Sequence, residues 1–76
     1  MWWLIEYMEW DAFKDEGEYI GGFNEKNETC DSWDKTLTRF IELVNNDNVP
    51  QVYITTYWND KIYNEDNPYV LTYDAG

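Results

Sequence analysis

Residues 31–46, DSWDKTLTRFIELVNN, are the one stretch of this chain with an unambiguous period. Trp33, Leu37, Phe40, Ile41 and Val44 fall on one face of an α-helix. Asp31 is placed to cap its start, with Asp34 three residues on as an acidic counterpart of the capping box. Asn45 and Asn46 are stop residues, and Pro50 prevents continuation. A single helix with an aromatic-rich face needs a flat apolar surface to bury it.

The flanking segments supply that surface as strands. Residues 2–10 alternate, with Trp3, Ile5 and Tyr7 on one side and Trp2, Leu4, Glu6, Met8 and Trp10 on the other. Both sets are largely apolar, which suits a central strand or one covered on both faces. Residues 11–17 read as a charged connection. Residues 18–24 read as a second strand weakened by Gly21-Gly22, a pair that signals a bulge, a bend or a close backbone approach. Residues 24–30 read as a polar loop. Gln51–Trp58 is β-branched and aromatic throughout, with Val52, Ile54, Thr56 and Trp58 on one side and Tyr53, Thr55 and Tyr57 on the other. Asn59-Asp60 sits where a two-residue hairpin turn belongs. Lys61–Tyr63 is a short return strand, 64–68 a turn, and Tyr69–Tyr73 the last strand. The expectation is an α+β fold, a small antiparallel sheet of three to five strands with one amphipathic helix packed on one face. Its order is β(β)αβ(β)β, and residues 1–76 form a single domain.

Charge and aromatic content pull in opposite directions. Sixteen acids against five bases leave a net charge of −11, a composition that would favour disorder if aromatics were scarce. Five Trp, seven Tyr and three Phe argue for a folded core, since each ring buries roughly 150–250 Å². So much negative charge disfavours direct contact with nucleic acid or an anionic membrane and favours a basic protein partner. The single cysteine, Cys30, allows no disulfide within the chain and fits a reducing, cytoplasmic location. The start, MWWLIEYMEW, has no basic region and is interrupted by Glu6, so it reads as neither signal peptide nor membrane span. Asn27-Glu28-Thr29 fits the glycosylation pattern only by chance in that setting.

Catalysis has little to work with. There is no histidine, so histidine-based acid–base chemistry is absent and Cys30 lacks its usual activator. Cys30 reads as a small hydrophobe at the helix entrance. The Asn and Asp residues of 59–67 do not follow a calcium-loop pattern and read as turn chemistry, and Gly21-Gly22 is not a phosphate loop. The expectation is a protein without enzymatic activity, metal or cofactor.

The acids are the constellation that remains. Glu6, Glu9, Asp11, Asp15, Glu16 and Glu18 lie within thirteen residues, opposed only by Lys14. Glu25, Glu28, Asp31 and Asp34 follow at steps of three. Rows of carboxylates on loops and sheet edges resemble the charge spacing of a nucleic-acid backbone, ~3.4 Å per phosphate along one strand. In composition, though in no defined motif, the chain resembles the small acidic inhibitors of phages and mobile elements, including DNA mimics of anti-CRISPR and anti-restriction type. That resemblance implies binding to the basic groove of a nucleic-acid-binding protein. The second expectation is a protein-interaction module that binds through an aromatic sheet face, with Tyr53, Tyr57 and Trp58 as anchors, as a monomer or homodimer.

Overall fold

A computed structural model describes residues 1–15 and 17–75, and the side chains of all of these except 13–15, 18 and 19. The element order is β1 (Trp2–Asp15), β2 (Glu18–Cys30), α1 (Trp33–Val44), β3 (Gln51–Trp58), β4 (Lys61–Ile62) and β5 (Tyr69–Asp74). All strand pairs are antiparallel. β1 lies between β2 and β3, and the far edge of β3 is shared end to end by β4 and β5. The chain is thus a small antiparallel sheet with one helix, of α+β class.

The largest departure from expectation is the length of the first hairpin. Residues 11–15 continue β1, and residues 25–30, expected as loop, continue β2, in unbroken register from Trp3↔Cys30 to Asp15↔Glu18. Gly17, at φ +87°, supplies the left-handed turn position that closes it. The polar residues hold the ladder together by cross-strand pairs in place of apolar burial. Lys26 donates to Glu9, Asn24 donates to Asp11, and Glu28 accepts from the Tyr7 hydroxyl at 2.8 Å. β3 pairs β1 only as far as Met8↔Gln51, and the Trp10 amide then donates to the Asn48 carbonyl at 2.7 Å. Beyond that bond the hairpin continues as a two-stranded arm, and the molecule measures 49 × 22 × 20 Å.

Ile5, Tyr7, Val52 and Ile54 are buried together with Leu43 of α1 and Val49, and Trp3, Cys30, Trp33, Phe40, Leu71 and Tyr73 pack around them. The buried stripe of α1 is rotated from the expected one. Thr36 and Leu43 are buried, whereas Ile41 is 57% exposed. Thr36 tolerates burial because its hydroxyl donates to the Ser32 carbonyl at 2.8 Å. The helix stops at Asn45 as expected, but its N-cap is Ser32 rather than Asp31. The Ser32 Oγ accepts from the Lys35 amide at 3.2 Å, while Asp31 binds the Lys35 side chain at 3.1 Å. A hydroxyl one residue nearer the first turn takes the cap, leaving Asp34 in the first turn to complement the helix dipole.

The β3–β4 connection follows the sequence. Tyr57↔Ile62 and Trp58↔Lys61 flank a two-residue turn in which Asn59 and Asp60 have φ of 52° and 61°. Positive φ at both central positions is the type I′ requirement that Asn and Asp tolerate.

Candidate functional site

Strand alternation assigns each candidate residue to a side of the sheet. Trp3, Ile5 and Tyr7 enter the core, so Glu9 and Asp11 continue on the core side while Glu6 points to the opposite side. On β2, Glu28 lies on the core side and Glu25 on the opposite side, by their register with Ile5 and Met8. The carboxylates expected to form one row are therefore divided.

Those on the core side are largely engaged. Glu28 is the centre of a small network: Arg39 donates to it through Nε at 2.9 and 3.1 Å and through Nη2 at 2.8 Å. The same guanidinium carbon stands 5.9 Å from the Tyr7 ring centroid, and Arg39 Nη1 reaches Glu42 at 3.1 Å. The Arg39 hydrogen bonds hold the Glu28 carboxyl below its ordinary value against the opposing effect of burial. Burial first, then the bond to Glu28, raises the Tyr7 phenol above its ordinary value. Glu9 pairs with Lys26, and the bond to Glu9 raises the lysine. Asp11 is exposed and accepts from Asn24. Asp31, exposed, is lowered by its bond to Lys35. Asp34 is exposed in the first helical turn.

Glu6 and Glu25 are exposed and have no ion-pair partner among the described residues. The strand backbone pairs Asp15 with Glu18 at the end of the arm. The side chains of Asp15 and Glu18, and all of Glu16, lie outside the described residues. Among the described members of the expected acidic row, Glu9, Glu28 and Asp31 pair with bases and Asp11 accepts from Asn24, while Glu6, Glu25 and Asp34 are exposed.

The aromatic candidates also divide. Tyr53 and Tyr57 share the side opposite the core, and alternation puts Trp58 on the other side. Tyr57 stacks on Trp2 with centroids 4.2 Å apart and planes 7° apart. Tyr53 meets Tyr69 at 5.1 Å, and Trp10 meets Phe23 edge-on at 5.1 Å. Trp2, Trp10, Phe23 and Tyr69 were not among the expected anchors. The even-numbered positions of β1 carried the signal for the two Trp. Phe23 and Tyr69 needed the strand register. Glu6 lies directly across from Tyr53 on β3 and from Asn27 on β2, and Met8 lies across from Glu25. Glu6, Met8, Glu25, Asn27, Gln51 and Tyr53 line a hollow of about 210 Å³.

Among the described residues no three carboxylate or thiol groups converge as metal ligands would, and no helix is long and apolar enough to cross a membrane. Asn64 accepts from the Asn67 amide at 3.3 Å, a turn-forming bond. Comparison with protein-family models, with curated proteins and with solved structures finds no match for this chain.

Proposed function

We propose that this chain is a non-enzymatic acidic inhibitor that acts in the cytoplasm by occupying the basic nucleic-acid groove of a partner protein. The reading takes α1 as the cover of one face of the sheet, in the order β(β)αβ(β)β, leaving the arm and the other face for binding. The charge of the arm carries it. In sequence, the stretch from Asp11 to Gly22 carries four carboxylates, Asp11, Asp15, Glu16 and Glu18, against Lys14 alone. β1 and β2 pair there as a two-stranded ribbon that leaves the body. Alternate positions on a strand stand ~7 Å apart, about two axial phosphate rises of ~3.4 Å. Elsewhere Lys26, Lys35 and Arg39 are already paired within the chain, so they do little to offset the arm. Such a ribbon would be steered to a Lys/Arg-lined groove and would compete there with DNA or RNA. The compositional likeness to phage-encoded anti-CRISPR and anti-restriction proteins points the same way.

The test is capture of partners from host lysate at low and high salt, repeated with the quadruple variant Asp15→Lys, Glu16→Lys, Glu18→Lys, Glu25→Lys. A nucleic-acid-binding protein that elutes with salt, is displaced by duplex DNA and is lost with the variant is the expected result. A partner that ignores salt, DNA and charge reversal overturns it.

The aromatic pairs Trp2–Tyr57, Tyr53–Tyr69 and Trp10–Phe23 favour a second reading, a protein-interaction module that binds through this side of the sheet. Binding by aromatic docking changes little with ionic strength, whereas groove occupation weakens steeply. A homodimer formed this way would register in sedimentation equilibrium.

A further inference from the structure

We infer that the side of the sheet opposite the core docks an extended, arginine-bearing segment of a protein partner, with a guanidinium held between Tyr53 and the carboxylates of Glu6 and Glu25. The inference rests on the reading that the partner is basic, and it names a second surface and its chemistry.

The chain itself holds one arginine in this manner. On the core side Arg39 lies over the Tyr7 ring and donates to both carboxylate oxygens of Glu28. Tyrosine supplies a face for the planar cation and glutamate supplies two parallel acceptors. The opposite side repeats the ingredients. Tyr53 and Glu6 are direct cross-strand neighbours, and Glu25 lies on β2 two residues from Glu6's partner Asn27, opposite Met8, around the same hollow.

Among the described residues no cation is paired with them. Lys26 borders the hollow, but its ammonium is bonded to Glu9 on the core side. Lys14 is eight residues along β1 from Glu6, about 26 Å at ~3.3 Å per residue along the backbone. Lys61 pairs with Trp58, five residues along β3 from Tyr53, about 17 Å by the same rise.

The surroundings extend the surface beyond one residue. Trp2 and Tyr57 stack at one end and Trp10 and Phe23 meet at the other, with Tyr69 beside Tyr53. Trp10 is 40%, Phe23 50% and Tyr69 44% exposed. The span from Trp2 to Trp10 matches about eight residues of extended chain. Arginine fits better than lysine because its guanidinium both stacks and forms paired bonds. A second copy of this chain is a poor occupant: it would set its own Glu6 and Glu25 and a net charge of −11 against the same groups.

The experiment uses two labelled synthetic peptides of about eight residues, alternating Arg-Ser and alternating Lys-Ser, with binding read by fluorescence anisotropy at about 0.15 M salt. The Arg peptide should bind roughly tenfold more tightly than the Lys peptide. Glu6→Gln with Glu25→Gln should weaken it roughly tenfold, whereas Glu65→Gln with Asp66→Gln, an equal change in charge, should leave it within about twofold. Tyr53→Leu should erase the preference for arginine. Equal losses in the two double variants, equal affinity for the two peptides, or no binding of either would overturn the inference. The arm variant Asp15→Lys, Glu16→Lys, Glu18→Lys separates the two readings. If it loses a DNA-competed partner yet binds the Arg peptide, both stand. If it loses the peptide while the Glu6/Glu25 variant does not, the arm is the site and the sheet surface is not. If no DNA-competed partner exists but peptide binding follows Glu6, Glu25 and Tyr53, the groove reading alone fails.

Discussion

The indole of Trp10 occupies the space that a side chain at position 21 would fill. A Cβ on Gly21 would overlap Cζ2 and Cη2 of the ring, whereas one on Gly22 would meet nothing within 4 Å. The neighbouring glycines therefore have different reasons to be glycine. Gly21 lets an aromatic ring from the facing strand cover its backbone, a recognised way to stabilise a glycine in a sheet. Gly21→Ala should lower unfolding stability by about 1–2 kcal/mol through displacement of the ring. Gly22→Ala should be neutral or stabilise by about 0.5 kcal/mol by restricting the unfolded chain. Urea titrations followed by tryptophan fluorescence check both, and a larger loss at Gly22 would refute the assignment.

Glu28 and Tyr7 set the pH limits of the body. The carboxyl of Glu28 is held low by Arg39, so its contribution is complete above the ordinary carboxylate value of 4.5 and is lost as pH falls through its lower folded value. Tyr7 is held high, so its contribution is complete below 10.0 and is lost as pH rises through its higher folded value. Each member of the Arg39–Glu28 pair keeps 35% of its side-chain surface in water, which limits the pair to about 1 kcal/mol. Arg39→Met should cost about that much near neutrality. Glu28→Gln should flatten the decline in stability below pH 4.5, measured as urea midpoints across a pH series.

The helix cap separates two adjacent candidates. Ser32→Ala should destabilise by about 1 kcal/mol, since the Lys35 amide loses its acceptor. Asp31→Ala removes only an exposed ion pair with Lys35, 3.1 Å long, and should leave the melting midpoint unchanged. The reverse order would return the cap to Asp31.

Salt should stabilise this protein. A net charge of −11 repels itself in the compact state, and the four ion pairs among the described residues, which salt also weakens, all keep part of their surface in water. The thermal midpoint should rise between about 0.02 and 0.5 M sodium chloride, where the Debye length shrinks several-fold. A fall would mean that the paired carboxylates outweigh the unpaired ones.

The parts of the fold that follow local rules were legible. Gln51–Trp58 declared itself by β-branched and aromatic residues, and the Asn59-Asp60 turn by its position between two strands. The extended hairpin was not legible, because residues 11–15 and 24–30 look like loop until their polar side chains find partners across the ladder. No single-strand pattern encodes that Lys26 meets Glu9 or that Asn24 meets Asp11. The helix face was misjudged for a related reason. Hydropathy ranks Ile41 above Thr36, but Thr36 satisfies its hydroxyl within its own turn and is buried. At the candidate site the composition announced acidity, but only the register could show that Glu28 is spent on Arg39 while Glu6 and Glu25 are left facing Tyr53 and Met8.

β2 also has an outer edge, and among the described residues no strand pairs with it. Alternate residues along its thirteen turn their backbone amides and carbonyls outward, a template on which another copy could assemble, and fibrils grow from such ladders. Mutual repulsion is what keeps the copies apart, and it vanishes near the isoelectric point of about 4.1. Acidity then protects this protein from itself, and mild acidification should turn a clear solution into a β-rich precipitate.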